Sequence, residues 1–277
     1  TNVKKKIGLI GAGKHGKRLA DLITPRAEIM QFDYADGSIV YLQNRCDGIV
    51  IASPSDSHFY YLKELQKYRG FILCEKPACQ TVDQLEELKT FNLDCIMFNF
   101  PLRQKLASNI KQLTTNHIIH SIDVNVTHSF ALKAEYCQSW RSSVWKQPLG
   151  PLEATSIHFI DLIISLMGEP TSIMNEVYNI SFQGTAPDTA LTLMHHHVGR
   201  SRIYASYAAP EETSLTILMS PLTGGGSKLL RLNDSELMFE EGLALSVEKF
   251  LDHCESCIDF DESERKITLA SAKAMLA

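Results

Sequence analysis

The chain has 277 residues, of which 44% are apolar and 21% charged, and a formal net charge of −5. At roughly 150 residues per domain this length predicts two domains, long enough together to bury about three quarters of the unfolded surface. The ordinary globular composition excludes a disordered chain. The acidic balance excludes general binding to nucleic acid or anionic membrane, both of which need a basic face. No targeting or membrane-spanning segment is expected, because the most apolar window, 157–167, is broken by His158 and Asp161 and is too short for a bilayer. Seven scattered cysteines, several inside apolar runs, read as buried reduced thiols of a cytoplasmic protein.

The first half alternates apolar runs with helical patterns. Strands are predicted at Lys5–Ile10, Glu28–Phe32, Gly48–Ser53, Phe71–Cys74 and Cys95–Phe98. Helices are predicted at His15–Thr24, stopped by Pro25, at His58–Tyr68, ended by Gly70, and from a Thr81/Gln84 capping box through Thr90. Apolar strands separated by helices indicate a parallel sheet covered on both faces.

The second half differs. A strand at Ile118–His128 leads into an irregular stretch to Gly150, then a helix at Leu152–Met167 with Gly168 as its stop. Strands at Ser172–Phe182, Leu191–Val198, Ser201–Ala208, Ser214–Met219, Lys228–Leu232 and Glu236–Phe239 are separated by turn residues and read as an antiparallel meander. Helices at Leu243–Cys257 and Ile267–Leu276 close the chain.

Gly11-Ala12-Gly13-Lys14-His15-Gly16 fits G-x-G-x-x-G, directly after the first strand and opening a helix. Gly11 allows the tight turn, Gly13 lets a pyrophosphate approach the backbone, and Gly16 permits close helix–strand packing. The helix N-terminus presents unpaired N–H groups and a positive dipole to phosphates. A ligand-free glycine turn is the plain alternative. Asp33 ends the second strand 22 residues after Gly11, where an acid can bond the adenosine ribose hydroxyls and repel the extra phosphate of NADP. NAD is therefore favoured over NADP. Only thirteen residues lie between Asp33 and Asp47, too few for another helix and strand, so the adenine side is expected to be abbreviated.

Three further segments follow in order: Ala52-Ser53-Pro54-Ser55-Asp56-Ser57-His58, then Cys74-Glu75-Lys76-Pro77, then Trp140-Arg141 with Gly150 and Ser156-Ile157-His158-Phe159-Ile160-Asp161. With the glycine loop they resemble the glucose-fructose oxidoreductase / inositol dehydrogenase / rhizopine catabolism family (Gfo/Idh/MocA) over nearly the whole chain, Glu75-Lys76-Pro77 being the most specific match. The resemblance implies an α/β Rossmann domain with a doubly wound parallel sheet, here 1–115. An α+β domain with an open, mainly antiparallel sheet would follow, here 116–277, its last helices being candidates to pack back on the first domain. It also implies NAD(P)-dependent hydride transfer at a hydroxyl carbon of a sugar, cyclitol or sugar nucleotide, and a homo-oligomer paired through the antiparallel sheet.

Residue chemistry runs alongside. Ser53-Pro54 and Glu75-Lys76-Pro77 lie just past strand carboxyl ends, where open α/β sheets bind ligands. Lys76 can polarise a substrate hydroxyl, or it can be a loop lysine paired with Glu75. His158 and Asp161, three apart on an apolar helix, either satisfy each other or face a cleft. The family commonly places an Asp four residues before this His, but position 154 is Ala, and Glu153 lies about 140° around an ideal helix from His158. The sites are assigned accordingly. Catalysis falls to Lys76, His158, Asp161 and Glu153. Cofactor binding falls to Gly11, Gly13, Lys14, His15, Gly16, Asp33, Ser53, Pro54, His58, Glu75 and Lys76. Substrate binding falls to Asn99, Arg103, Trp140, Arg141 and His158.

No metal is expected. His195-His196-His197 sits on a predicted strand, where adjacent side chains point to opposite faces. Cys254 and Cys257 lack a second pair at zinc spacing. The shortened adenine half and the missing acid leave a non-catalytic or regulatory dinucleotide- or sugar-binding protein as the alternative, and lyase or glycosidase chemistry with retained NAD as a third.

Overall fold

The computed structural model describes residues 4–32 and 39–277. The chain forms two compact units, Thr1–Phe100 with Leu243–Leu269, and Pro101–Gly242 with Ala270–Ala277.

The first unit begins β1 (Lys6–Ile10), α1 (Lys14–Ile23), β2 (Glu28–Phe32), α2 (Val40–Gln43), β3 (Gly48–Ile51), α3 (Ser55–Glu64), β4 (Phe71–Glu75), α4 (Val82–Leu88) and β5 (Ile96–Asn99). Its sheet has the order β2-β1-β3-β4-β5 and every pairing is parallel. All residues of β3, β4 and β5 are buried, which is why their sequences are apolar runs rather than alternating ones, with Glu75 and Asn99 entering only at the ends of β4 and β5. Between β2 and β3 the described residues hold only the four-residue α2. Thr81 caps α4 by accepting from the Gln84 N–H, as its spacing predicts. The return bond differs: Gln84 Oε1 takes the N–H of Gln80 at 2.8 Å, one residue before the cap.

The core of this unit joins both ends of the chain. Ile7, Leu9, Val50, Leu73 and Met97 from the strands pack with Leu19 and Ile23 of α1 and with Leu243, Val247, Phe250, Leu251, Cys254 and Phe260. Contact is close enough that a β-carbon on Gly48 would lie 2.8 Å from the Phe250 ring.

The second unit contains α5 (Ser108–Leu113), β6 (His117–Thr127), α6 (Ile157–Met167), β7 (Ser172–Tyr178), β8 (Thr189–His195), β9 (Arg200–Ser206), β10 (Glu212–Pro221) and β11 (Lys228–Asn233). The helices α7 (Phe239–Ser256) and α8 (Glu262–Leu276) follow, each contributing residues to both units. The sheet order is β11-β10-β6-β9-β8-β7. The expected meander is corrected here. β6, which comes first in the chain, inserts between β10 and β9 and pairs parallel with β9, while the other pairings are antiparallel. Ile122, Val124, Ile203, Ala205, Leu215 and Ile217 form the buried face, and Asp123, Arg202, Thr216 and Leu193 alternate onto the other. There Arg202 bridges strands to Asp123 at 3.2 Å.

A second correction concerns Glu236–Phe239, which is not a strand. Asp234–Leu237 is a 3-10 turn capped reciprocally by Asn233 and Glu236, and Phe239 already opens α7. The Asn-x-x-Glu capping signal outweighs a four-residue alternation.

Phe250 is fully buried, so Phe250→Ala is expected to lower unfolding free energy by about 3–5 kcal/mol in urea denaturation. The half-exposed Leu245→Ala on the same helix should cost much less.

Candidate active site

The strand order of the first unit reverses at β1, which has β2 on one side and β3 on the other. Such a switch point leaves a crevice outside the carboxyl ends of the strands. The glycine turn fills it. Gly11 has φ +110, and a β-carbon there would lie 2.5 Å from the Ala52 carbonyl oxygen. A β-carbon on Gly16 would lie 2.2 Å from the Gly11 oxygen. Gly13 is different: among the described residues nothing beyond its own chain neighbours lies within 4 Å of the place its β-carbon would occupy. The protein's own packing thus demands Gly11 and Gly16, whereas Gly13 leaves an open cradle. That cradle meets the N-terminus of α1, which has no side-chain cap and no acid in its first turn. The turn therefore fits a pyrophosphate. Lys14 is exposed beside it. Asp33 lies outside the described residues.

Glu75, at the end of β4, is the polar junction of this edge. One carboxylate oxygen lies 2.7 Å from His15 Nε2 of α1 and accepts from Asn99 Nδ2 of β5 at 2.6 Å. Burial acts to raise the Glu75 carboxyl, but the His15 hydrogen bond and charge, Asn99 and neighbouring Lys76 outweigh it and hold the group below its ordinary 4.5. Asn99 is fully buried, and its Oδ1 has no hydrogen-bond partner among the described residues. Lys76 is half-buried and followed by a cis peptide to Pro77.

His58, counted among the cofactor-binding residues from sequence, is buried, with both ring nitrogens on carbonyls. Nδ1 lies 2.9 Å from the Pro77 oxygen and Nε2 2.8 Å from the Ser53 oxygen. Burial pushes its ionisation down, against the two carbonyl bonds and the Glu75 charge. The ring braces the turn after β3 against the turn after β4, and Ser53 Oγ adds a 2.6 Å bond to Ser57.

In the second unit, the helix expected over Leu152–Met167 has two parts. Leu152–Ser156 is a π turn, in which the Ile157 N–H reaches back to the Leu152 oxygen, and α6 follows, ending at Gly168 with φ +81. Less rotation accumulates per residue through a π turn than through an α turn. Glu153 therefore swings towards the His158 face from its 140° position on an ideal helix. Glu153 is fully buried and accepts the Leu149 N–H at 3.4 Å.

Asp161 does not simply pair with His158. Its Oδ1 lies 3.2 Å from Arg103 Nη1 and accepts from Ser271 Oγ at 3.2 Å. Arg103 sits in a second π turn, Arg103–Ala107, and is buried rather than on the surface. His158 is 8% exposed and meets the Phe239 ring edge-on at 5.3 Å.

Arg141 lies 4.5 Å over the half-exposed Trp140 ring. It also acts on the buried Tyr207 hydroxyl: burial raises that phenol's ionisation, with the Thr155 and Arg141 side chains opposing it and the Glu153 charge adding to it. His128 stacks on Tyr207 at 4.7 Å.

Among the three consecutive histidines, His195 and His197 are exposed, while His196 is buried with Nδ1 2.9 Å from the Gly168 oxygen. Cys254 is a buried free thiol and Cys257 an exposed one. Ser271, Phe239, Thr155 and Tyr207 were not singled out from sequence. Only Tyr207, in an apolar strand end, carried any signal, as a phenol that needs a partner when buried.

Residues 25–92 match the family model for the oxidoreductase family NAD-binding Rossmann fold, and residues 111–218 match that for the oxidoreductase family C-terminal alpha/beta domain. The chain belongs to the Gfo/Idh/MocA oxidoreductase family. Its first domain is an NAD-binding Rossmann domain. No curated protein matches the sequence.

Among solved structures, GenD2 from gentamicin A biosynthesis in complex with NAD is 14% identical with TM-score 0.78, covering 99% of this chain and 93% of its own. The WlbA dehydrogenase from Bordetella pertussis, in complex with NADH and UDP-GlcNAcA, is 17% identical with TM-score 0.77 over 99% and 95%. The apo scyllo-inositol dehydrogenase from Lactobacillus casei is 16% identical with TM-score 0.77 over 99% and 95%. At these identities the likeness is one of fold.

Because Glu75 ionises more readily folded than unfolded, its contribution to stability is present above the ordinary 4.5 and is lost as pH falls through the depressed folded value. Glu75→Gln is expected to lower stability at pH 7 and to flatten the acid limb, read by urea denaturation between pH 7 and pH 3.

Proposed function

We propose that the protein is an NAD-dependent dehydrogenase or reductase acting on CH–OH groups of a sugar, cyclitol or sugar-nucleotide derivative. The observation that carries this reading is the edge of the parallel sheet. There an open glycine cradle past β1 and a lysine past β4, next to a fixed carboxylate, lie at the carboxyl ends of the two strands that flank β3. NAD, when bound, supplies the hydride acceptor or donor at its nicotinamide. The preference for NAD over NADP rests on the carboxylate of Asp33.

The chain's own residues do the rest. Gly13 and the first turn of α1 bind the phosphates. Lys76 holds and polarises the substrate hydroxyl. His158 carries the proton, as an imidazole does best near neutrality. Asp161, engaged by Arg103, fixes the helix that presents His158, and Glu153 stands on the side to which the π turn swings it. Asn99, Trp140 and Arg141 contribute to substrate binding, with Arg103 acting from behind through Asp161. The ligands bound in two structures of similar fold support the substrate class: UDP-GlcNAcA with NADH in WlbA, and levoglucosan with NADH in a levoglucosan dehydrogenase that is 15% identical with TM-score 0.76.

Alanine at Lys76 or at His158 is expected to reduce turnover by at least about a hundredfold, the scale of a lost acid–base group. Calorimetric NADH affinity should change little in His158→Ala. Unchanged turnover in both variants would remove the assignment. A regulatory, non-catalytic reading draws on the short stretch between Asp33 and Asp47 and on Ala154. Tight NADH binding without turnover across a polyol and sugar-nucleotide panel would favour it.

No described helix is long and apolar enough to cross a membrane. The seven free thiols favour a reducing, cytoplasmic setting. The outward face of the six-stranded sheet is proposed to pair with a second copy. Sedimentation should then show a dimer or larger oligomer, and Leu193→Glu on that face should dissociate it without lowering the melting temperature by more than a few degrees.

A further inference from the structure

His15 stands out in the glycine turn because it is titratable and because its ring is already committed on one side. It occupies the first turn of α1, between Gly13 and Gly16, where backbone N–H groups gather a phosphate. Its Nε2 is 2.7 Å from the buried Glu75 carboxylate, and its side chain stays 38% exposed. No hydrogen bond to Nδ1 occurs among the described residues. We propose that His15 is a proton-linked ligand of the dinucleotide phosphates, with Glu75 fixing the ring so that anion binding draws a proton from solvent onto it.

The proposal rests on the NAD-binding reading and extends it. The ring is carried on the uncapped first turn of α1, and the Glu75 carboxylate meets its Nε2 at 2.7 Å. Among the described residues, the charged groups on the elements packed here include Lys14, Lys17, Arg18 and Asp21 on the same helix, Glu75 at the end of β4 and Lys76 just after it. β5 adds only the neutral Asn99, and the turn after β3 and the start of α3 add Ser53, Asp56 and His58, the last with both nitrogens occupied by carbonyls. A bound diphosphate adds negative charge to this balance and favours the imidazolium, whose ordinary titration lies nearest neutrality among side chains. By linkage, binding and proton uptake are then one equilibrium. Glu75, ionised and shared with Asn99, remains as the fixed anion that holds the ring in place while it gains charge.

The test is calorimetric titration of the full chain with NADH at pH 7 in two buffers of different ionisation enthalpy, which counts protons taken up on binding. The wild type is expected to take up a measurable fraction of a proton. His15→Gln, which keeps a donor to Glu75 but cannot ionise, is expected to take up none and to bind NADH several-fold more weakly with a melting temperature near that of the wild type. His15→Asn serves as the second non-ionising variant if His15→Gln fails to fold. Wild-type binding without proton uptake, or uptake retained in either variant, overturns the proposal and leaves NAD binding intact. Absence of any NADH binding by the wild type overturns both readings.

Discussion

A carboxylate that is buried must be met by donors or it becomes the most expensive group in its surroundings. Glu75 meets that constraint on a single oxygen, with one partner from the glycine turn after β1 and the other from the end of β5. The consequence is geometrical. One side chain fixes the glycine turn after β1 to the tips of β4 and β5, which are themselves paired at Glu75 and Asn99. His58 ties the turn after β3 to the turn after β4. Turns past strand ends are ordinarily the mobile part of an open sheet. Here side-chain contacts of 2.6–2.9 Å tie these turns to one another, so Lys76 emerges from a braced turn.

The second unit solves a similar problem with charge in its interior. α6 is apolar on nearly every side, yet carries Asp161 at zero exposure. Arg103 and Ser271 answer that carboxylate. A buried ion pair of this kind is weak evidence for stability, since desolvation offsets most of the attraction. What it does supply is orientation: the helix cannot roll without separating two charges. Both Arg103 and Glu153 sit in π turns, where one extra residue per turn re-aims a side chain that an α-helix would direct elsewhere.

Much of this could be read from the chain before any coordinates. The inner strands appear as apolar runs because both faces are buried, polar residues entering β4 and β5 only at their ends, whereas the edge strand β2 exposes Glu28 and Gln31. The glycine turn and the Ser53, Glu75 and Lys76 positions follow from spacing after those strands. The partner of a strand is less legible than the strand itself. Nothing in the alternation of β6 says that it separates β9 from β10. The partners of Asp161 are illegible for the same reason, since Arg103, assigned from sequence to the substrate, and Ser271 are both remote in sequence and nothing in their spacing points to this carboxylate. Glu236–Phe239 shows the opposite failure, in which the deciding signal, Asn233 with Glu236, was present but shorter-ranged than the pattern laid over it.

The division of the chain also bears on how the molecule is made. Phe250, Leu243 and Phe260 leave the ribosome after the whole of 101–242, yet they belong to the core that β1 and β3 begin. A nascent chain therefore carries the parallel sheet with part of its apolar cover still unsynthesised. Contacts of such sequence separation form late and slowly. Until they do, Ile7, Val50 and Leu73 are exposed surface that a chaperone can hold and that a neighbouring nascent chain can stick to.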